Sequence, residues 1–242
     1  MLKKNGSDIR SYWKYENWQE KSWTNFVSSR DYKFFDNGEG DYDLLKKEFS
    51  LDNLFLLDQT HSADIVELSE FDLKYIKNKN YKIRNQRPKA DAIIISNLSK
   101  NNNFGFGILT ADCAPLMFRS DKTLALVHSG WQGLANKIIE KVASRLIKLD
   151  PNLSEVVIGP CAIYQYEVGK EVIEQIGESA DYNELENNQY FLDVSQTAAN
   201  QLKKFNHFNI HQTRLCTITD NQFYSFRREQ EKAGRHLTML VG

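Results

Sequence analysis

Between Asn53 and Ser129 the chain passes through one short apolar stretch after another: NLFLL, ADAIIIS, FGFGILT, APLMF and TLALVHS. Such runs, rich in Ile, Leu, Val and Phe and bounded by turn residues, have the signature of buried β-strands. SEVVIGPC and HLTMLVG continue the series towards the C-terminus. Few segments carry helix periodicity. Gly133 to Lys148 places Leu134, Ile138, Val142 and Leu146 at i, i+4 steps, with Lys and Arg opposite, and reads as one amphipathic helix. YEVGKEVIEQIGE reads as a second. FLDVSQTAANQLKKF reads as a short strand feeding a third, with Asp193 as its cap and Gln196 at capping-box spacing. So many apolar strands cannot be covered by so few helices. Sheets must therefore pack on each other as well as on helices, and the expectation is a single α+β or α/β domain over residues 1–242.

The remaining stretches are more polar. KSWTNFVSSR can hold a short strand, DNGEGDYD a loop and YDLLKKEF a helical turn or two. Asp58 to Ser62 joins or bulges two strands. Residues 70–90 read as a charged surface excursion, and NLSKNNN as a turn. No repeat, low-complexity tract or linker is visible.

Composition excludes several functions. The formal net charge is -1, which gives no electrostatic case for nucleic acid or an anionic membrane as partner. No apolar run approaches the roughly 20 residues of a bilayer span. The N-terminal MLKKNGSDIR lacks an apolar signal core, so the expected location is cytoplasmic. The 3 cysteines, Cys113, Cys161 and Cys216, are widely spaced. This argues for free thiols or metal ligands rather than a disulfide framework.

Three residues stand where apolar strands break: His61, Cys113 and His128. Two imidazoles and a thiolate are a plausible ligand set for Zn²⁺ that leaves a fourth position open. Asp91 and Asp112 are candidates to orient ligands or accept a proton behind them. The wide spacings match no compact zinc signature. Hydrogen-bonded structural histidines and a buried thiol remain the other reading. So does a metal-free cysteine hydrolase with Cys113 as nucleophile and His128 as base. A polyphenol oxidase with several copper centres ranks lower, because 5 histidines and 3 cysteines supply too few ligands. Gly159-Pro160-Cys161 reads as a strand-terminating turn as readily as a nucleophile. FYSFRRE reads equally as a solvated helix start. Arg227 and Arg228, being adjacent, point different ways, so at most one need face a site, where it can clamp phosphate. Dinucleotide, P-loop, nucleophile-elbow and nucleobase-deaminase motifs are absent.

Taken in order, DQTHS, ADAIIIS, GILTADCAPLMF, ALVHSGWQGL, IGPCAIYQYEVG, CTITD, FYSFRRE and GRHLTML resemble the bacterial family once described as multicopper polyphenol oxidases or laccase-like proteins. Its members are now described as zinc-dependent purine nucleoside phosphorylases that also deaminate adenosine. The resemblance spans residues 50–242 and implies an α-β-β-α layered sandwich with mixed sheets. It also implies a zinc site at His61, Cys113 and His128, with copper the alternative metal. The implied substrates are adenosine, inosine, guanosine or methylthioadenosine with inorganic phosphate. In phosphorolysis Arg227 or Arg228 would hold the phosphate. In deamination water activated at zinc would attack C6 of adenine, with Asp112 relaying the proton. The chain departs from the family at Thr60 and Ser62, which replace Val and Gly. Gln132 stands where the family carries arginine, and the N-terminal segment keeps Arg30 without its glycines. Gln132 would leave the phosphate site weaker in charge.

Overall fold

The computed structural model describes residues 2–7, 10–16, 24–77, 79–97, 103–120, 122–152 and 155–241. Most of NLSKNNN and the start of KSWTNFVSSR lie outside them. With strands numbered along the chain, the first sheet runs β1 (Leu2–Ser7), β2 (Arg10–Tyr15), β3 (Thr24–Ser28), β15 (His236–Val241), β7 (Phe104–Thr110), β4 (Asn53–Leu56). The second runs β14 (Asn209–Gln212), β10 (Glu155–Ile158), β8 (Ala114–Arg119), β9 (Thr123–Ser129), β6 (Ala92–Ser96), β5 (Ile65–Ser69). A small third sheet holds β11 (Tyr166–Val168), β13 (Tyr190–Leu192) and β12 (Tyr182–Glu184). The helices are α1 (Tyr42–Glu48), α2 (Glu70–Ile76), α3 (Trp131–Ala135), α4 (Ile138–Leu149), α5 (Lys170–Ile176), α6 (Val194–Leu202) and α7 (Phe226–Glu229). Both large sheets are mixed. β4 lies parallel to β7, β5 to β6 and β10 to β14, and the other pairings are antiparallel.

Strand alternation divides the second sheet between two cores. Ile93, Ile95, Met117, Leu124, Leu126 and Val157 share a core with Val27, Phe106, Ile108 and Leu240 of the first sheet. Their neighbours Ala92, Ile94, Leu116, Phe118, Val127 and Ile158 pack instead with Ile138, Val142 and Leu146 of α4 and Ala198 and Leu202 of α6. On the first sheet, Phe26 of β3 meets Phe49 edge-on at 5.2 Å, just past α1. The layers are therefore α-β-β-α, as the resemblance implied.

Three sequence expectations need correction. The helix expected over Gly133 to Lys148 is two helices, broken at Lys137, whose φ of 58° is left-handed. The periodicity ran through the break because Leu134 and Ile138 enter the same core. YEVGKEVIEQIGE is not all helix. Its first residues form β11, paired with β13, and Gly169 caps α5. Tertiary pairing outweighs local pattern there. Residues 70–90 are more than a surface excursion. α2 opens with a capping box from Ser69 and Asp72, and Leu73, Ile76, Tyr81 and Arg87 are buried. Arg87 folds this segment by donating to the carbonyls of Tyr81 (2.6 Å) and Lys82 (3.0 Å).

Candidate metal centre and cavity

The connections β4–β5 and β7–β8 both carry the chain from the first sheet to the second. His61 rides on the former and Cys113 on the latter, while His128 lies near the end of β9.

Asp91, just before β6, organises the first connection. One carboxylate oxygen accepts from the N–H of Ser62 (2.7 Å), the hydroxyl of Ser62 (2.9 Å) and the N–H of Thr60 (3.2 Å). The other accepts from the N–H of His61 (3.1 Å) and lies 2.8 Å from His128 Nδ1. Burial pushes the Asp91 carboxyl up, but these donors, His128 foremost, bring it down to about 2. Residues 60–62 thus wrap an anion, and His61 keeps a left-handed φ of 60° that a free chain would avoid. Asp91 is ionised and can only accept, so His128 donates through Nδ1. Nε2 is then the ring nitrogen left to act as a ligand once its own proton is lost.

The donor atoms of His61, Cys113 and His128 lie within 4.8 Å of one another. The two imidazole rings are 4.9 Å apart and nearly perpendicular. Burial raises the Cys113 thiol, but His128 and His61 pull it down to about 6. Burial lowers His128, but Cys113 and Asp91 carry it to about 10. Each group thus favours the other's charge, thiolate on Cys113 and proton on His128, and a metal at the trio would take the place of that Nε2 proton. Two nitrogens and one thiolate match a zinc ligand set in chemistry and number. Gly130 preserves the space, since a Cβ there would lie 2.7 Å from the Cys113 sulfur.

A cavity of about 790 Å³ opens onto the trio. Asp112, Trp131, Gln132, Tyr166, Phe226 and Arg227 contribute to its wall. Asp112 has a φ of 85° and a fully engaged carboxylate. It accepts from the Thr217 hydroxyl (2.7 Å), the Ser225 hydroxyl (3.0 Å) and the Arg227 N–H (2.7 Å). The Arg227 guanidinium lies over the Tyr166 ring, 4.4 Å from its centre. Arg228 turns away from the cavity. It donates to the carbonyls of Thr217 (2.8 Å), Ile218 (2.7 Å) and Phe223 (2.5 Å), and to Glu229 (2.7 Å). Arg30 pairs with Glu229, outside the cavity wall. Cys161 is buried and does not line the cavity either.

Several wall residues carry little signal in the sequence. Gln59 pins the His61 connection to β7, donating to Leu109 O (2.7 Å) and accepting from Leu109 N–H (2.8 Å). Its place in DQTHS was the available signal. Tyr166 was hidden in a segment read as helix. Arg84 and Arg87 also reach the wall, from the stretch read as surface, and Arg235 from just before the last strand.

These features define a mixed α/β protein in which two histidines and a cysteine that could hold a metal ion line a cavity. The chain belongs to the multi-copper polyphenol oxidoreductase laccase family, whose model matches residues 37–241. It is 28% identical over 212 residues to a purine nucleoside phosphorylase of Clostridium acetobutylicum, covering 81% of this chain and 80% of that one. It is 27% identical to the purine nucleoside phosphorylase YfiH of Escherichia coli, over 72% of this chain and 68% of that one. The fold matches the crystal structure of the Bacillus licheniformis hypothetical protein YfiH, with a TM-score of 0.81, 20% identity and 97% of each chain covered.

Proposed function

We propose that the protein is a cytoplasmic, zinc-dependent purine nucleoside phosphorylase, acting on adenosine, inosine, guanosine or methylthioadenosine with inorganic phosphate, and that it also deaminates adenosine. The observation that carries the metal reading is His61. A cysteine nucleophile with a histidine base needs no third donor, yet His61 is held in a left-handed conformation beside both. The names of the relatives support the nucleoside substrate. No helix among the described residues is long and apolar enough to cross a membrane.

Zinc held by His61, Cys113 and His128 would supply Lewis acidity to the reacting substrate. The chain's own residues do the rest. Arg227 faces the cavity and holds phosphate for attack on the anomeric carbon of the ribose while the purine leaves. Trp131 and Phe226 offer aromatic surface to the base, and Tyr166 backs the Arg227 guanidinium. Asp112 spends both carboxylate oxygens on protein donors, so in this reading it positions Arg227 through the backbone rather than relaying a proton. Gln132 brings no charge to the cavity, which leaves the phosphate to the arginines of its wall, with Arg227 the one set by Asp112.

One observation favours a second reading. Cys113, His128 and Asp91 are arranged as nucleophile, base and orienting carboxylate, the geometry of a metal-free cysteine hydrolase. Metal analysis separates the two. Protein purified without added metal should carry about one zinc per chain, and Cys113→Ala should lose it. The zinc-loaded protein, given inosine and phosphate, should release free base on chromatography. Arg227→Ala should raise the KM for phosphate roughly 30-fold or more with little change for nucleoside. Copper in place of zinc would change the metal assigned. A metal-free protein, or a loaded one that releases no base, would overturn the proposal.

A further inference from the structure

The metal-type trio uses one of the cysteines, and the other two face each other. The Cys161 N–H donates to Leu215 O at 3.2 Å, and the Thr217 N–H donates to Cys161 O at 3.0 Å. Cys161 and Cys216 are therefore the directly opposed pair of a short parallel bridge between the turn after β10 and the loop after β14. Backbones paired in this way run about 4.8 Å apart. A disulfide needs Cα atoms about 4.4–6.8 Å apart, so the backbone already stands within reach of one. Both residues are free thiols in the structure.

We propose that Cys161 and Cys216 are a reversible disulfide site, separate from the metal-type centre and formed by exchange with a low-molecular-weight disulfide. The two thiols have different parts. Cys216 is half-buried, with its sulfur 3.6 Å from the Ile163 carbonyl, and it is the one a small disulfide can reach. Cys161 is fully buried, and burial, with Asp193 nearby, pushes its thiol up. Cys216 thiolate attacks one sulfur of the small disulfide, forming a mixed disulfide and releasing one small thiolate. Cys161, losing its proton, then attacks the Cys216 sulfur and releases the second small thiol. Two protein thiols are oxidised by two electrons and one small disulfide is reduced to two thiols. The small thiols carry away the two protons.

The bond would close at the seat of Asp112. Ala162, next to Cys161, donates its N–H to the Asp112 carbonyl at 2.9 Å. Thr217, next to Cys216, donates its hydroxyl to the Asp112 carboxylate at 2.7 Å. Oxidation therefore fastens together the two segments that hold Asp112, and through it the Arg227 backbone.

The test uses the full chain as purified, incubated in buffers of increasing oxidised-to-reduced glutathione ratio. Thiols are then alkylated and the digest is mapped under non-reducing conditions. The expected product is one intramolecular link between the peptides of Cys161 and Cys216, with no glutathione retained and full reversal by dithiothreitol. Closing so long a loop should raise the Tm by roughly 5–10 °C. Cys216→Ser, at a half-exposed position that tolerates the change, should abolish both the link and the Tm rise. Cys113→Ser should keep the link. A stable glutathione adduct on Cys216 with Cys161 still alkylatable would overturn the proposal, as would a link to Cys113. The readouts are mass and melting, so they stand apart from any nucleoside assay.

Discussion

At the scale of single residues, Asp91 does more than any ligand it supports. One buried carboxylate accepts from Thr60, His61, Ser62 and His128. Asn at this position keeps the shape but presents an N–H₂ to donors and no charge to His128. Asp91→Asn should weaken metal binding about 10–100-fold, measured by competition with a chromophoric chelator. Unchanged affinity would mean that Asp91 only folds the loop. Gly130→Ala should act on the same affinity from the other side, because its Cβ would press on the Cys113 sulfur. The trio itself was legible in the sequence, since His61, Cys113 and His128 all mark places where apolar strands end. Asp91 was legible only as a neighbour of the site, because its main contacts are backbone N–H groups that carry no sequence signal. That Arg227 and not Arg228 reaches the cavity was not legible, because the choice depends on which carbonyls α7 folds against.

At the scale of elements, α7 shows how function can rest on a piece too short to stand alone. An isolated helix of so few residues has no stability of its own. It is held by the Ser225 cap, whose hydroxyl accepts from the Arg228 N–H at 3.2 Å and donates to Asp112 at 3.0 Å. Ser225→Ala removes both bonds and should cost about 1–2 kcal/mol of stability, read from the urea midpoint. Because Arg227 sits on this helix, the phosphate KM should rise in the same variant while the nucleoside KM holds. A rise in both would point to general loosening. The Asp193 cap of α6 was visible beforehand, and the Gln196 N–H donates to it at 2.7 Å. The Lys137 break was not visible, because an amphipathic pattern reports which side is buried and not whether the backbone is continuous.

At the scale of the whole molecule, the number of apolar strands implied stacked sheets, but strand order and crossovers depend on long-range pairing that periodicity does not encode. The first sheet carries an acid-sensitive lock. His236 on β15 donates through Nδ1 to Ser28 O (3.0 Å) and accepts the Tyr224 N–H at Nε2 (2.5 Å). Burial pushes it down from 6.5 to about 4. The unfolded chain therefore takes up a proton before the folded one does. This contribution is whole above about pH 6.5 and is lost as the pH falls towards 4, and it amounts to about 3 kcal/mol. Urea unfolding at pH 7 and pH 5 should show the loss, and His236→Gln should flatten it. An equal slope in parent and variant would move the lock elsewhere. Asp91, held at about 2, adds a separate loss below pH 4. The crossovers that carry His61 and Cys113 have a consequence for quality control. His61 and Cys113 sit on segments that enter from the first sheet, by way of β4 and β7, and meet His128 where those segments join the second. Loading with metal is then a certificate of assembly, issued late and withheld from a chain whose halves have not docked.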